Sequence, residues 1–267
     1  MSHGLKQRSY TALLAGARQV CSAPFDQLGY VSRYEQNLIG GLPLVSIVDD
    51  FAAGAGKELD GKLCAAHSSA ALAVNTFGPW RSDPGGLRFG SVTGFETIRF
   101  EATCPTGLGG TPPHLDLLAY GELPVAIESK CTEWMEPRPA RFSPSYERLR
   151  TTHGHSQWFA QIEKLRRNPN SYCYVDAAQL VKHALGLQAC FGDRVVQLIY
   201  LYWEPRNHAD WPECQIHREE ADDLASRVVD SNIRLVPKSY QALWAEWSRL
   251  EPPAHLALLR LRYDREV

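Results

Sequence analysis

The run VVQLIYLYW, residues 195–203, constrains the fold more than any other part of the chain. A strand with one face in water alternates apolar and polar residues. This run is apolar at almost every position, so both faces of the strand must be covered. Such a strand belongs in a sheet with material packed on each side, and the neighbouring sequence supplies it. Helical patterns over 156–167 and 176–187 precede the run, and 220–229 and 240–250 follow it. Upstream, 5–21 reads as a helix ended before Pro24, and the alanine-rich stretch 57–74 as another, interrupted only by Gly61. Residues 36–48, 78–94 and 137–155 read as loops, the first with a short apolar element. Three strand-like segments, 95–104, 114–120 and 123–132, lie between, the last two flanking Gly121 as a hairpin. The order helix, three strands, helix, strand predicts an α/β protein with a mixed sheet flanked by helices, in one domain over 1–267.

Composition narrows the partners. A net charge of −2 and a pI near 6.5 argue against a protein that coats nucleic acid without selectivity, so any such contact needs a local basic surface. Seven cysteines are scattered, odd in number and never spaced C-x-x-C, which supports neither a disulfide framework nor a zinc ribbon; reduced packing residues are expected. His153 and His155 lack a partner ligand at zinc spacing, and the GLGG segment 107–110 lacks the Gly-Lys-Ser/Thr of a phosphate loop. No apolar run approaches the ~18 residues of a membrane span, and no leader is visible; a cytoplasmic protein away from membranes is expected.

The chemistry concentrates in PPHLDLLAYGELPVAIESKCTEW, residues 112–134. Alternation along the second strand of the hairpin puts Ala126, Glu128 and Lys130 on one face, and His114, Asp116 and Leu118 share a face of the first. A tight turn at Gly121 places Asp116 opposite Ala126 and diagonal to Glu128, within reach of a shared cation. Two carboxylates offer hard oxygens to Mg²⁺, and a lysine two residues away can orient a water or offset developing negative charge.

Asp116 followed by Glu128-Ser129-Lys130 resembles the signature of the PD-(D/E)XK nuclease superfamily, which includes restriction and repair nucleases. The resemblance implies a restriction-endonuclease-like three-layer αβββαβ core, about residues 55–205, with extra N- and C-terminal helices. It implies that Asp116 and Glu128 bind Mg²⁺, for which Mn²⁺ can substitute, and that Lys130 serves the nucleophile. A further acidic ligand from the helix before the sheet would be Glu58, and a polar residue from the later helix would be Gln179. His114 is a candidate accessory group on the shared strand face. The signature departs in one place: Leu115 precedes Asp116, with the prolines displaced to 112 and 113. Arg138, Arg141 and Arg148 follow the catalytic strand and are candidate phosphate contacts. The expected activity is metal-dependent hydrolysis of double-stranded DNA. The alternatives are a repair or recombination nuclease of the same superfamily, or a DNA-binding module without catalysis. Cutting both strands of a duplex calls for two active sites, which favours a homodimer.

Overall fold

The computed structural model describes residues 4–53, 59 and 61–267. Five strands form one sheet, in sequence order across it: β1 (Thr97–Thr103), β2 (His114–Tyr120), β3 (Val125–Lys130), β4 (Val196–Tyr202) and β5 (Ile233–Ser239). β1, β2 and β3 are antiparallel neighbours, and β3, β4 and β5 run parallel. The apolar run is β4. It lies between two parallel neighbours, and all its residues except Gln197 are buried. The chain is α/β, a mixed sheet flanked by helices, as the opening run requires.

The described helices are α1 (Leu5–Val20), α2 (Leu44–Ala53), α3 (Ser69–Phe77), α4 (Arg150–His153), α5 (Gln157–Arg167), α6 (Ala177–Phe191), α7 (Pro212–Arg227), α8 (Tyr240–Arg249) and α9 (Leu256–Tyr263). Alternation along β3 sends consecutive side chains to different layers. Ser129 meets the Ser69 carbonyl at the start of α3 and the Tyr240 hydroxyl of α8, whereas Glu128 and Lys130 face α6. α5 packs on α6, and its Trp158 indole donates to the Ile233 carbonyl of β5. Two glycines permit close approach. A Cβ on Gly186 of α6 would lie 2.2 Å from the Cys104 carbonyl oxygen, and one on Gly16 of α1 would lie 1.9 Å from that of Arg262 in α9. Without the first, α6 could not sit this near the end of β1.

Several sequence expectations need correction. The loop assigned to 36–48 contains the start of α2, whose Ile47 and Phe51 are buried in the core. The helix expected over 57–74 is instead a short 3₁₀ turn at Lys62–Cys64 followed by α3; Ser68 caps α3 by accepting the Ala71 N–H. Its 57–58 end lies outside the described residues. The loop at 137–155 holds a 3₁₀ helix at Pro144–Leu149 and α4. β5 was not expected at all: Pro237 and three polar side chains mask its pattern, and proline is tolerated because β5 is an edge strand. The hairpin also differs. Residues 121–124 connect β2 to β3, with the Arg194 guanidinium clamping the Gly121 and Glu122 carbonyls. The observed pair Leu117↔Ile127 therefore places Asp116 beside Glu128, not Ala126. The slip is two residues, an even number, so the face survives.

Candidate active site

β2 begins and β3 ends at the same edge of the sheet, where a cleft of about 630 Å³ opens. Its floor is a row of side chains at matching positions. Phe100↔Leu117 and Ala102↔Leu115 bracket Glu101 and Asp116, and the β2–β3 register continues the row to Glu128. Lys130 stands one step further along β3, at the wall formed by α6.

Each group is held from more than one direction. The Ser129 N–H donates to Asp116 Oδ2 at 2.7 Å, tying the acid of β2 to the backbone of β3. Lys130 Nζ donates to Glu128 Oε1 at 2.5 Å and to Gln179 Oε1 at 2.8 Å. His183, one turn after Gln179 on α6, brings Nε2 to 2.7 Å from Glu128 Oε2. The contact pairs two side chains that are each only 2% exposed, so both oxygens of Glu128 face a basic group, Oε1 the Lys130 ammonium and Oε2 the His183 ring. α6 itself is fixed by Asp176, whose carboxylate caps the helix through the Gln179 N–H at 3.0 Å. Glu220 of α7 accepts the backbone N–H groups of Cys173, Tyr174 and Val175, which holds the segment leading to that cap.

The electrostatics are divided unevenly. Burial raises the pKa of Asp116 well above the usual carboxylate value, and the charges of Glu128 and Glu101 push it further. Burial also pushes Glu128 up, but Lys130 and His183 overcome it and hold that carboxyl at about 2. Burial works against the Lys130 ammonium too, yet Glu128, Asp116 and Glu133 raise its pKa, so it stays charged. Two like charges on neighbouring strands, ~5 Å apart, repel by about 3 kcal/mol at an effective dielectric of 20. A single hydrogen bond to a charged group returns about 1.5–3 kcal/mol, so the Ser129 N–H does little more than offset that repulsion. Lys130 and His183 both contact Glu128, which leaves Asp116 as the carboxyl that burial and its acidic neighbours disfavour as an anion.

These residues fit a hard divalent cation. The donors are the carboxylate oxygens of Asp116 and Glu128, side by side on neighbouring strands and lining the open cleft. Among the described residues no three His, Cys, Asp or Glu side chains form a ready metal cage, so a cation here would rest on two carboxylates and keep water. That is the coordination Mg²⁺ prefers.

Asp116, Glu128, Lys130, Gln179 and His114 all line the cleft, as does Arg138. Glu58 lies outside the described residues, and α3, the helix that reaches the site, has no acidic residue. Arg141 is exposed and is not among the cleft-lining residues; Arg148 donates to the Leu108 carbonyl at 2.5 Å and so braces the glycine-rich loop. Sequence reasoning missed Glu101 and His183. The spacing of His183, four residues after Gln179 on one helix face, could have revealed it. Nothing local marks Glu101.

No described helix is long and apolar enough to cross a membrane. No curated protein and no solved structure gives a significant match to the chain. One family model does match, over residues 12–264, and its description is restriction endonuclease associating with ARP. With nearly the whole length matched, including every strand of the sheet and the Asp116–Glu128–Lys130 row, the chain belongs to this restriction-endonuclease family, a kinship that points to a nuclease.

Proposed function

We propose that the protein is a metal-dependent endonuclease that hydrolyses phosphodiester bonds in double-stranded DNA. The observation that carries this reading is the pairing of Asp116 with Glu128 on adjacent strands, with the Lys130 ammonium bound to Glu128 at the mouth of an open cleft. Asp116 and Glu128 would hold Mg²⁺ or Mn²⁺. Such an ion supplies a more acidic water and positive charge beside a phosphoryl oxygen.

The chain's own groups do the rest. Lys130 is charged, and its position lets it orient the attacking water and offset negative charge developing on the phosphate. Gln179 accepts from Lys130 and fixes its direction, and His183 restrains the far oxygen of Glu128. Arg138 and Lys182 at the cleft are suited to phosphate contacts, the local basic surface that a net charge of −2 makes necessary. Association with a partner of the kind named in the family description belongs to the same proposal.

The test is incubation of the purified protein with supercoiled, linear duplex and single-stranded DNA in Mg²⁺, Mn²⁺ or EDTA. Cutting of duplex that requires the ion and stops in EDTA is expected. Cutting that persists in EDTA, or duplex DNA that stays intact in both metals across mixed genomic substrate, would overturn the reading.

A further inference from the structure

We infer that Cys104, just after β1, and Cys190, in the last turn of α6, form a peroxide-sensitive thiol pair that closes to a disulfide. The geometry starts at Gly186. A Cβ built there would lie 3.2 Å from the Cys104 Cβ and 2.2 Å from the Cys104 carbonyl oxygen, so Cys104 presses on α6 where the helix carries no side chain. Cys190 follows four residues later, on the same face of the helix. Helical side chains lean toward the N-terminus, so the Cys190 thiol covers the turn that Gly186 leaves bare. The bare turn removes the side chain that would otherwise stand between the two sulfurs. Burial, the Cys190 charge and a hydrogen bond between the two thiols push Cys104 up to about 12. Both thiols also act on Tyr120, whose ring lies 6.1 Å from that of Phe191, the residue after Cys190.

The pair divides the chemistry. Cys190 is exposed and meets the oxidant, whereas Cys104 is only 2% exposed. The Cys190 thiolate attacks hydrogen peroxide and breaks its O–O bond. Its sulfur keeps one oxygen as sulfenic acid, and the other leaves as hydroxide and takes up the thiol proton to give water. The Cys104 sulfur then attacks the Cys190 sulfur, forming the S–S bond as the S–O bond breaks. The Cys104 proton goes to the departing hydroxide, which leaves as a second water. Two thiols lose two electrons, and one peroxide is reduced to two waters. The bond ties α6, which carries Gln179 and His183, to the neck of the 105–112 segment, where the Cys104 N–H donates to the Pro113 carbonyl at 3.2 Å. That segment leads into Thr111, Pro112 and Pro113, which line the cleft. Asp116, Glu128 and Lys130 are left unmodified.

The test treats the reduced full-length protein with hydrogen peroxide, unfolds it, blocks the remaining thiols with N-ethylmaleimide and maps its unreduced peptides by mass spectrometry. Wild type is expected to yield the peptides of Cys104 and Cys190 joined, two mass units below their sum, and separated again by dithiothreitol. In Cys190→Ser, a change at an exposed position, Cys104 should stay a free thiol and take up the maleimide. Cys104 blocked by maleimide in oxidised wild type would overturn the inference, whether Cys190 ends as sulfinic acid or pairs elsewhere. Cys104 oxidised as readily in Cys190→Ser as in wild type would overturn it too.

Discussion

Six residues apart along α3, two buried polar clusters follow opposite rules. At Asn75 nearly everything is matched. Its Oδ1 accepts the Ile39 N–H at 2.7 Å, and its Nδ2 donates to the Tyr263 hydroxyl at 2.8 Å and the Asn37 carbonyl at 3.3 Å. Asn37 in turn accepts from Arg262 and donates to the Leu63 and Ala65 carbonyls. Arg262 is fully buried with no ion pair to a carboxylate among the described residues, yet two of its three nitrogens are bonded, one to Asn37 and one to Cys21. At the Ser69 end, Asp116 and Glu128 stand side by side on neighbouring strands, and burial with the charges of Glu128 and Glu101 works against an ionised Asp116. The first cluster ties α3, α9 and the 37–39 segment together. The second holds charges against their own preference, the pattern expected where stability is given up for chemistry.

This contrast can be broken or sharpened by substitution. Lys130→Met should lower the rate of metal-dependent cleavage by about 10²–10³, the effect of losing a group that offsets transition-state charge. Unchanged cutting per folded molecule would remove Lys130 from the machinery. At the other cluster, Asn75→Ala strands the Ile39 N–H and the Tyr263 hydroxyl and should cost about 3 kcal/mol in chemical denaturation, with cleavage per folded molecule unaltered. A loss of activity without a loss of stability would reverse the roles assigned to the two ends of α3.

A third buried group sets the acid limit. His217 is fully buried, stacks on Trp134 at 4.1 Å and shares a 2.8 Å hydrogen bond with the Tyr200 hydroxyl. Burial, and then the charge of Arg218, hold its pKa at about 3, below the ordinary 6.5. The folded chain therefore keeps it neutral where the unfolded chain binds a proton. Its contribution is present in full above the unfolded pKa and drains away as pH falls toward 3, at up to about 1.4 kcal/mol per pH unit. Denaturation at pH 7, 6 and 5 should show this slope, shallower in His217→Gln. Equal slopes in the two proteins would contradict it.

The legible parts of the chain were those whose signal is local. β4 announces itself because continuous apolar character admits few placements, and Asp116, Glu128 and Lys130 announce themselves because ionisable groups are out of keeping in strands this apolar. The correct face of Asp116 survived a wrong register because the slip was even. β5 was hidden by Pro237, α2 by the glycines and proline before it, and Glu101 by a partner known only once β1 is aligned on β2. Non-local pairing decides each of these, and no spacing within a segment encodes it.

Asp116→Asn, followed by melting temperature and by cleavage on the same preparation, tests the difference between the two clusters most directly. Asparagine keeps an acceptor for the Ser129 N–H while removing a charge that burial, Glu128 and Glu101 all oppose. The expected result is a melting temperature equal to or above that of wild type, with cleavage lower by at least about 100-fold. Retained cleavage, or a fall in melting temperature like that of Asn75→Ala, would show that the row at the cleft is built for stability and not for chemistry.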